Sequence, residues 1–385
     1  MTISRRGFSK WGVASASLWQ AGRLMAQEPG ILPSLARTLG DEMLIGAAVT
    51  PEIMSGAVGN LVRQQFSVVV AENVMKPENL APNAPGQYDF AAADKMVDAA
   101  LAAGIKVRGH TLLWHQQMPA WFYLDGGKEV SRAVLVARIE RYIADVVGHF
   151  KGRVFAWDVV NEAFVFDEAS VAADDAGMRL SKLRNIVGPE FIEIAFRAAA
   201  QADPAALLFY NDYETQNPRK VVALVKALSD LKSKGVKVDG IGHQSHCGLV
   251  HPLASEFENA IDAYAKLGVT QHVTELDISL NERLTENNVK GATSALLQRQ
   301  AIRYHELLTL FLRKREHISA VLVWGVDDAH SWLRTWPMAR FEAPLLFDEQ
   351  LQAKPAFFAV LAAAKGAAAC GGSVGAFPNS RITPC

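Results

Sequence analysis

The sequence predicts an α/β chain closed into a (β/α)8 TIM barrel, and three observations carry that prediction. Short apolar segments rich in β-branched residues alternate eight times with amphipathic, helix-like segments. Two of the short segments, Val154-Phe-Ala-Trp-Asp-Val-Val-Asn-Glu162 and His272-Val-Thr-Glu-Leu-Asp277, carry a Glu where the apolar run ends. A carboxylate there is costly unless something uses it, and barrels place their active sites at the C-terminal ends of their strands. Finally, an open doubly wound sheet would carry a Gly-rich phosphate turn after its first strand, and Gly46 and Gly56 do not make one.

In chain order, strands are expected near residues 45–50, 68–73, 106–112, 154–160, 206–211, 239–245, 271–275 and 320–325. Helices are expected at 53–65, 90–103, 131–150, 188–202, 217–234, 254–267, 293–316 and 354–364. The helical readings rest on apolar residues three and four apart, as in Val134, Ile139, Tyr142, Ile143, Val146 and Val147. Gly104 and Asp203-Pro204 mark helix ends before strands.

Residues 1–26 read as a twin-arginine export signal, in which Ser4-Arg-Arg-Gly-Phe-Ser-Lys10 precedes a modest apolar stretch from Trp11 to Trp19. The expectation is a protein that is periplasmic or secreted. Residues 27–366 form the barrel domain, and 367–385 a small-residue-rich tail in which Cys370 and Cys385 could pair in an oxidising compartment. With 39 basic and 40 acidic residues, net charge gives no reason to expect nucleic acid as a partner. No apolar run reaches the roughly 18 residues that span a bilayer.

Polar and aromatic residues gather where the strands end. Glu72, Asn73 and Lys76 follow the second strand; His110, Trp114, His115 and Gln117 the third; Asn161 and Glu162 the fourth. Asn211, Asp212 and Tyr213 follow the fifth strand, Gln244 and His246 the sixth, Glu275 and Asp277 the seventh, and Trp324, Asp327, Asp328 and Trp332 the eighth. In a barrel these converge on one face. The mixture suits a sugar: indole and phenol rings cover the apolar faces of pyranose rings, while amides, carboxylates and a Lys bond to hydroxyls. His243, Cys247 and His251 suggest a metal at first glance, but their spacing is not that of a ligand set; no metal and no cofactor are expected.

Five stretches together resemble glycoside hydrolase family 10, largely endo-β-1,4-xylanases. They are Ala71-Glu-Asn-Val-Met-Lys-Pro-Glu78, Gly109-His-Thr-Leu-Leu-Trp-His-Gln-Gln117, Trp157-Asp-Val-Val-Asn-Glu-Ala163, Thr274-Glu-Leu-Asp277 and Val323-Trp-Gly-Val-Asp-Asp328 with Ser331-Trp332. The resemblance covers residues 40–364 and implies hydrolysis of internal bonds of xylan, with retention, in plant polysaccharide degradation. It implies that Glu162 is the acid/base and Glu275 the nucleophile, roughly 5–5.5 Å apart. His246 and Asp277 resemble the nucleophile's supports, and Asn161 the residue that bonds the 2-hydroxyl of the attacked sugar. His110, Trp114 and Gln244 match residues around that sugar; Glu72, Asn73, Lys76 and Gln117 match binders of the next one. Trp324 and Trp332 match an aromatic wall that excludes the hydroxymethyl arm of glucose, and Tyr213 is a stacking residue on the leaving-group side. The implied partner is xylan or a xylo-oligosaccharide, bound by a monomer.

The alternatives are a barrel glycosidase acting on β-1,4-glucan, a carbohydrate-binding protein without turnover, and a metal-dependent hydrolase. The chain departs from the family pattern at Glu214, where a second Asn is usual, at Gln116, where Ser is common, and at Leu333-Arg334, where an Arg often follows the Trp directly.

Overall fold

A computed structural model describes residues 32–166 and 171–371, with side chains up to residue 366. The expected export signal over residues 1–26, the expected Cys370–Cys385 pairing and the tail beyond Gly371 lie outside the described residues.

Eight parallel strands close on themselves. They are β1 (Leu44–Val49), β2 (Val68–Ala71), β3 (Lys106–Gly109), β4 (Ala156–Asn161), β5 (Leu207–Asp212), β6 (Gly240–His243), β7 (Thr270–Ile278) and β8 (Ile318–Val323). Each pairs with the next, and β8 returns to β1 in the register Leu44↔Ala320, Ile45↔Val321. The strands are buried along nearly their whole length, as the continuous apolar runs require of a sheet covered on its outer face by helices.

The barrel helices are α1 (Gly56–Gln65), α2 (Ala91–Ala102), α3 (Arg132–His149), α4 (Phe191–Ala202), α5 (Pro218–Ser233), α6 (Ala254–Ala265), α7 (Ser294–Arg313) and α8 (Pro355–Gly371). Local chemistry starts several of them. Ser131 accepts the Val134 N–H at the head of α3, and Asn217 with Pro218 opens α5. In α3 the buried stripe is Leu135, Ile139, Tyr142, Ile143, Val146 and Val147. Val134, expected in that stripe, is 40 % exposed, and Leu135 takes its place.

Several details differ from expectation. Strands β2, β3 and β6 stop two or three residues early, so more of the polar residues stand clear of the ladder. Strand β7 runs three residues longer, because Asp277 and Ile278 gain partners in the two-residue strand His246–Cys247. Glu275 therefore sits inside the strand, at a register irregularity against β8 between Val273 and Leu276, with its N–H donating to Gln244 O at 3.0 Å. Short helices at Leu35–Leu39, Pro77–Leu80 and Lys182–Val187, and a small hairpin turning at Gly126-Gly127, have no counterpart in the expected elements. All are too short for a periodic apolar pattern to register.

Inside the barrel, Ala48, Val68, Val70, Ala320, Leu322 and Trp324 pack together. Beside them Arg108 is fully buried. It pairs with Asp158, donates to His272 Nδ1 at 2.7 Å and lies over the Phe209 ring at 4.4 Å. A buried guanidinium needs such partners to offset its desolvation. Asp158 also meets His110 Nδ1 at 3.0 Å, so this buried pair forms a rigid floor under the cleft described next.

Candidate active site

A cleft of about 790 Å3 opens where the strands end, and Glu162 and Glu275 both line it. Asn211 joins them. Its Nδ2 donates to Glu275 Oε1 at 2.8 Å and to Asn161 Oδ1 at 2.9 Å, while Thr274 Oγ1 donates to its Oδ1 at 2.7 Å and fixes the amide. Asn161 Nδ2 in turn donates to Glu162 Oε1 at 3.2 Å. Gln244 Nε2 reaches the same Glu162 oxygen at 2.9 Å, and Trp114 Nε1 donates to the other at 2.8 Å. Each carboxyl is thus aimed by amide and indole groups that themselves have partners.

Their electrostatic settings differ. Burial pushes the Glu162 carboxyl above the ordinary range, and the charges of Asp212 and Glu275 push the same way, against the bonds from Gln244 and Trp114. Burial also acts on Glu275. Here the hydrogen bond from His246 and the proximity of His110 outweigh it, and Glu275 is held below the ordinary range. His246 is disfavoured as a cation by burial, yet Asp277 and Glu275 pull it up to about 10. It is therefore an imidazolium near neutral pH, donating Nε2–H to Glu275 at 3.2 Å and Nδ1–H to Asp277 at 3.0 Å. Trp332 Nε1 donates to the same Asp277 oxygen at 2.8 Å. One carboxyl is set to keep a proton and the other to lose it, as an acid and a nucleophile working together require.

The other expected residues come to the same cleft. Lys76 Nζ donates to Asn73 Oδ1 at 3.0 Å and lies 4.9 Å over the Trp114 ring, and Asn73 Nδ2 donates to Glu72 at 3.3 Å. Burial lowers Lys76 and raises Glu72, disfavouring the charge on each, while their mutual attraction works against burial. His110 meets Trp324 edge-on, with ring centroids 5.4 Å apart. Gln117, Tyr213, Trp324 and Trp332 line the walls. Asp277 is the exception: it is buried behind His246 and Trp332 and reaches the cleft through those two side chains.

Four contributors were not assigned a role from the sequence. Asn211 is the bridge between the carboxyls. Arg179 donates to the backbone oxygen of Glu162 at 3.2 Å and to Tyr213 Oη at 2.7 Å. His115, in the sequence one of the polar residues after the third strand, stands with Nδ1 3.8 Å from Glu162 Oε2, and burial together with Arg179 pulls it down to about 3, so it is neutral. Trp336 is 49 % exposed and stacks on Trp332 at 4.8 Å. An Arg in a connection has no periodic signature, and Asn211 stood out only as one more polar residue at a strand end. Of the departures from the family pattern, Gln116 and Glu214 line the cleft, while Arg334 pairs with Glu349.

His243, Cys247 and His251 do not converge. His243 lies between Thr215 and Gln271, Cys247 is buried with its thiol toward Ser245 O, and His251 faces Arg283.

Comparison with known proteins agrees with this geometry. Residues 34–363 match Glycosyl hydrolase family 10. An endo-1,4-beta-xylanase from Geobacillus stearothermophilus is 41 % identical over 333 residues, which is 86 % of this chain and 98 % of that protein. A thermostable celloxylanase from Thermoclostridium stercorarium is 38 % identical over 346 residues, covering 86 % of this chain and 87 % of that protein. The crystal structure of xylanase B from Clostridium stercorarium F9 superposes with a TM-score of 0.81 at 38 % identity, covering 86 % of this chain and 99 % of that one. The chain belongs to glycoside hydrolase family 10.

Proposed function

We propose that this protein is a retaining endo-β-1,4-xylanase in which Glu162 is the acid/base and Glu275 the nucleophile. The observation that carries the reading is the pair itself. Two carboxyls in one cleft are tied through Asn161 and Asn211, one pushed toward the neutral form and the other held ionised.

Glu275 attacks the anomeric carbon while Glu162 gives its proton to the glycosidic oxygen. The glycosidic bond breaks, the leaving sugar departs with a new hydroxyl, and a glycosyl ester forms on Glu275. The ester is neutral, so the repulsion from Glu275 is gone and Glu162, having given up its proton, is more easily kept ionised than before. It then takes a proton from water as that water attacks the anomeric carbon from the face the leaving group vacated. The ester bond breaks, Glu275 regains its charge, and Glu162 regains its proton. One glycosidic bond and one water become two free ends, with the configuration kept because there are two displacements.

His246 matters to both halves. As an imidazolium it keeps Glu275 a good nucleophile and later a good leaving group. Asn161 is placed for the 2-hydroxyl, and Glu72, Asn73 and Lys76 for the next sugar. Trp324 and Trp332 would press on C5 of the bound ring, a contact that xylose fits and the hydroxymethyl arm of glucose does not.

The celloxylanase among the relatives favours one second reading, activity on β-1,4-glucan as well. A product profile from linear xylan, glucuronosyl- or arabinosyl-substituted xylan and cello-oligosaccharides separates the two. Short xylo-oligosaccharides released early from the polymer, with β-anomers seen first by NMR, are expected. Equal turnover of cellohexaose and xylohexaose, or α-anomers first, would overturn the proposal.

A further inference from the structure

In a regular strand, successive side chains point to opposite faces. Asn161 and Glu162 are successive, yet both line the cleft, and Asn161 donates to Glu162. The backbone makes this possible: Glu162 has φ 57, in the left-handed region that a residue with a β-carbon rarely enters. Relaxing to extended geometry would swing the carboxyl out of the cleft. Such a conformation persists only where its surroundings over-determine it.

Those surroundings come almost wholly from β5 and one Arg. The Glu162 N–H donates to Asn211 O at 2.9 Å. The Glu162 carbonyl accepts from Arg179 Nε at 3.2 Å. The next N–H, that of Ala163, donates to Tyr210 Oη at 3.0 Å. Tyr210 in turn donates to Asp212, whose other oxygen accepts from the buried Lys220 Nζ at 2.9 Å. Tyr210, Asp212 and Lys220 are buried, and none of them lines the cleft. A phenol, a carboxylate and an ammonium placed together in a core are expensive unless they hold something. This chain of bonds ends on backbone at both sides: Lys220 Nζ donates to Tyr213 O at 2.7 Å, and at the Glu162 side Tyr210 Oη holds the Ala163 N–H.

We propose that Tyr210, oriented by Asp212 and Lys220, acts with Arg179 as a clamp on the left-handed backbone at Glu162, and that these are positioning residues for the acid/base. The inference rests on the assignment of Glu162 given above. It separates Tyr210 from an ordinary core residue, because loosening the clamp harms proton donation and leaves attack by Glu275 intact.

The test compares Tyr210→Phe with Glu162→Ala on two substrates. Xylohexaose needs the proton because its leaving group is an alkoxide; 2,4-dinitrophenyl β-xylobioside scarcely does. The quantity read is kcat/KM, which reports the first displacement. For Tyr210→Phe it should fall about tenfold or more on xylohexaose, part of the roughly 10²–10⁴-fold supplied by general acid catalysis, and stay within about threefold on the aryl glycoside. Glu162→Ala should show the same split, only larger. Arg179→Met, read the same way, carries the test if the Tyr210 variant does not fold. Equal losses on both substrates, or no loss, with the split present in Glu162→Ala, would overturn the clamp and leave the acid/base assignment standing. If Glu162→Ala itself shows no split, the assignment falls and the clamp falls with it.

Discussion

Glu162 is held by competing influences at the level of single side chains. Burial and two neighbouring carboxylates favour its neutral form, and the donors Gln244 and Trp114 favour its charged form. Trp114 touches Glu162 Oε2 and makes no bond to Glu275, so replacing it changes one limb of the pH profile. The first displacement needs Glu162 protonated, and activity is lost as pH rises through its pKa. In Trp114→Phe a bond that stabilises the ionised form is gone, Glu162 moves further up, and the alkaline limb of kcat/KM on xylohexaose should move to higher pH. The acid limb, set by Glu275, should not move. An alkaline limb displaced downward would contradict this account of Glu162. The two Glu were legible in the sequence because each ends an apolar run, where a charge needs a reason. Asn211 was legible only as one more polar residue. Its importance lies in which neighbours its two amide hydrogens reach, and that depends on the register between β4, β5 and β7.

At the scale of elements, β5 and β6 leave no room for a side chain at two glycines. A β-carbon at Gly242 would lie 2.1 Å from Asn211 Oδ1, and one at Gly240 would lie 2.2 Å from the Phe209 ring. Gly242→Ala must push on the bridging amide. It should cost about 1–3 kcal/mol, read from the shift in urea midpoint, and lower activity as well by disturbing Asn211. Gly148→Ala is the contrast: that glycine lies in α3 with no atom within 4 Å of the added carbon. The substitution should stabilise by about 0.4–1 kcal/mol with unchanged turnover. A stable, fully active Gly242→Ala would mean that the bridge tolerates displacement. Strand and helix positions followed from periodicity, but lengths did not. Strand β7 outran its expected end because a two-residue strand at His246 pairs with it, and in the α3 stripe Leu135 stands where Val134 was expected because the two are interchangeable as apolar letters.

Over the whole molecule, backbone strain is distributed unevenly. Among the described residues, the non-glycine positions with left-handed backbone are Gln117, Glu162, Glu214, Ser245 and Leu351. All except Leu351 line the cleft. A barrel with ordinary strands and capped helices can hold such turns at one end because the rest of the chain favours the fold. The sequence showed that one face would carry the chemistry, since eight strand ends must converge in a closed barrel. It did not show the strain, because positive φ at Glu or Gln leaves no mark in composition or spacing. The most direct measurement of the central claim is covalent trapping with 2,4-dinitrophenyl 2-deoxy-2-fluoro-β-xylobioside, followed by peptide mass spectrometry. The fluorine slows both displacements and the good leaving group lets the ester accumulate. The account predicts one added fluoroxylobiosyl group per chain, on Glu275, and none on Glu162. A label on any other residue, or inactivation without an adduct, would contradict it.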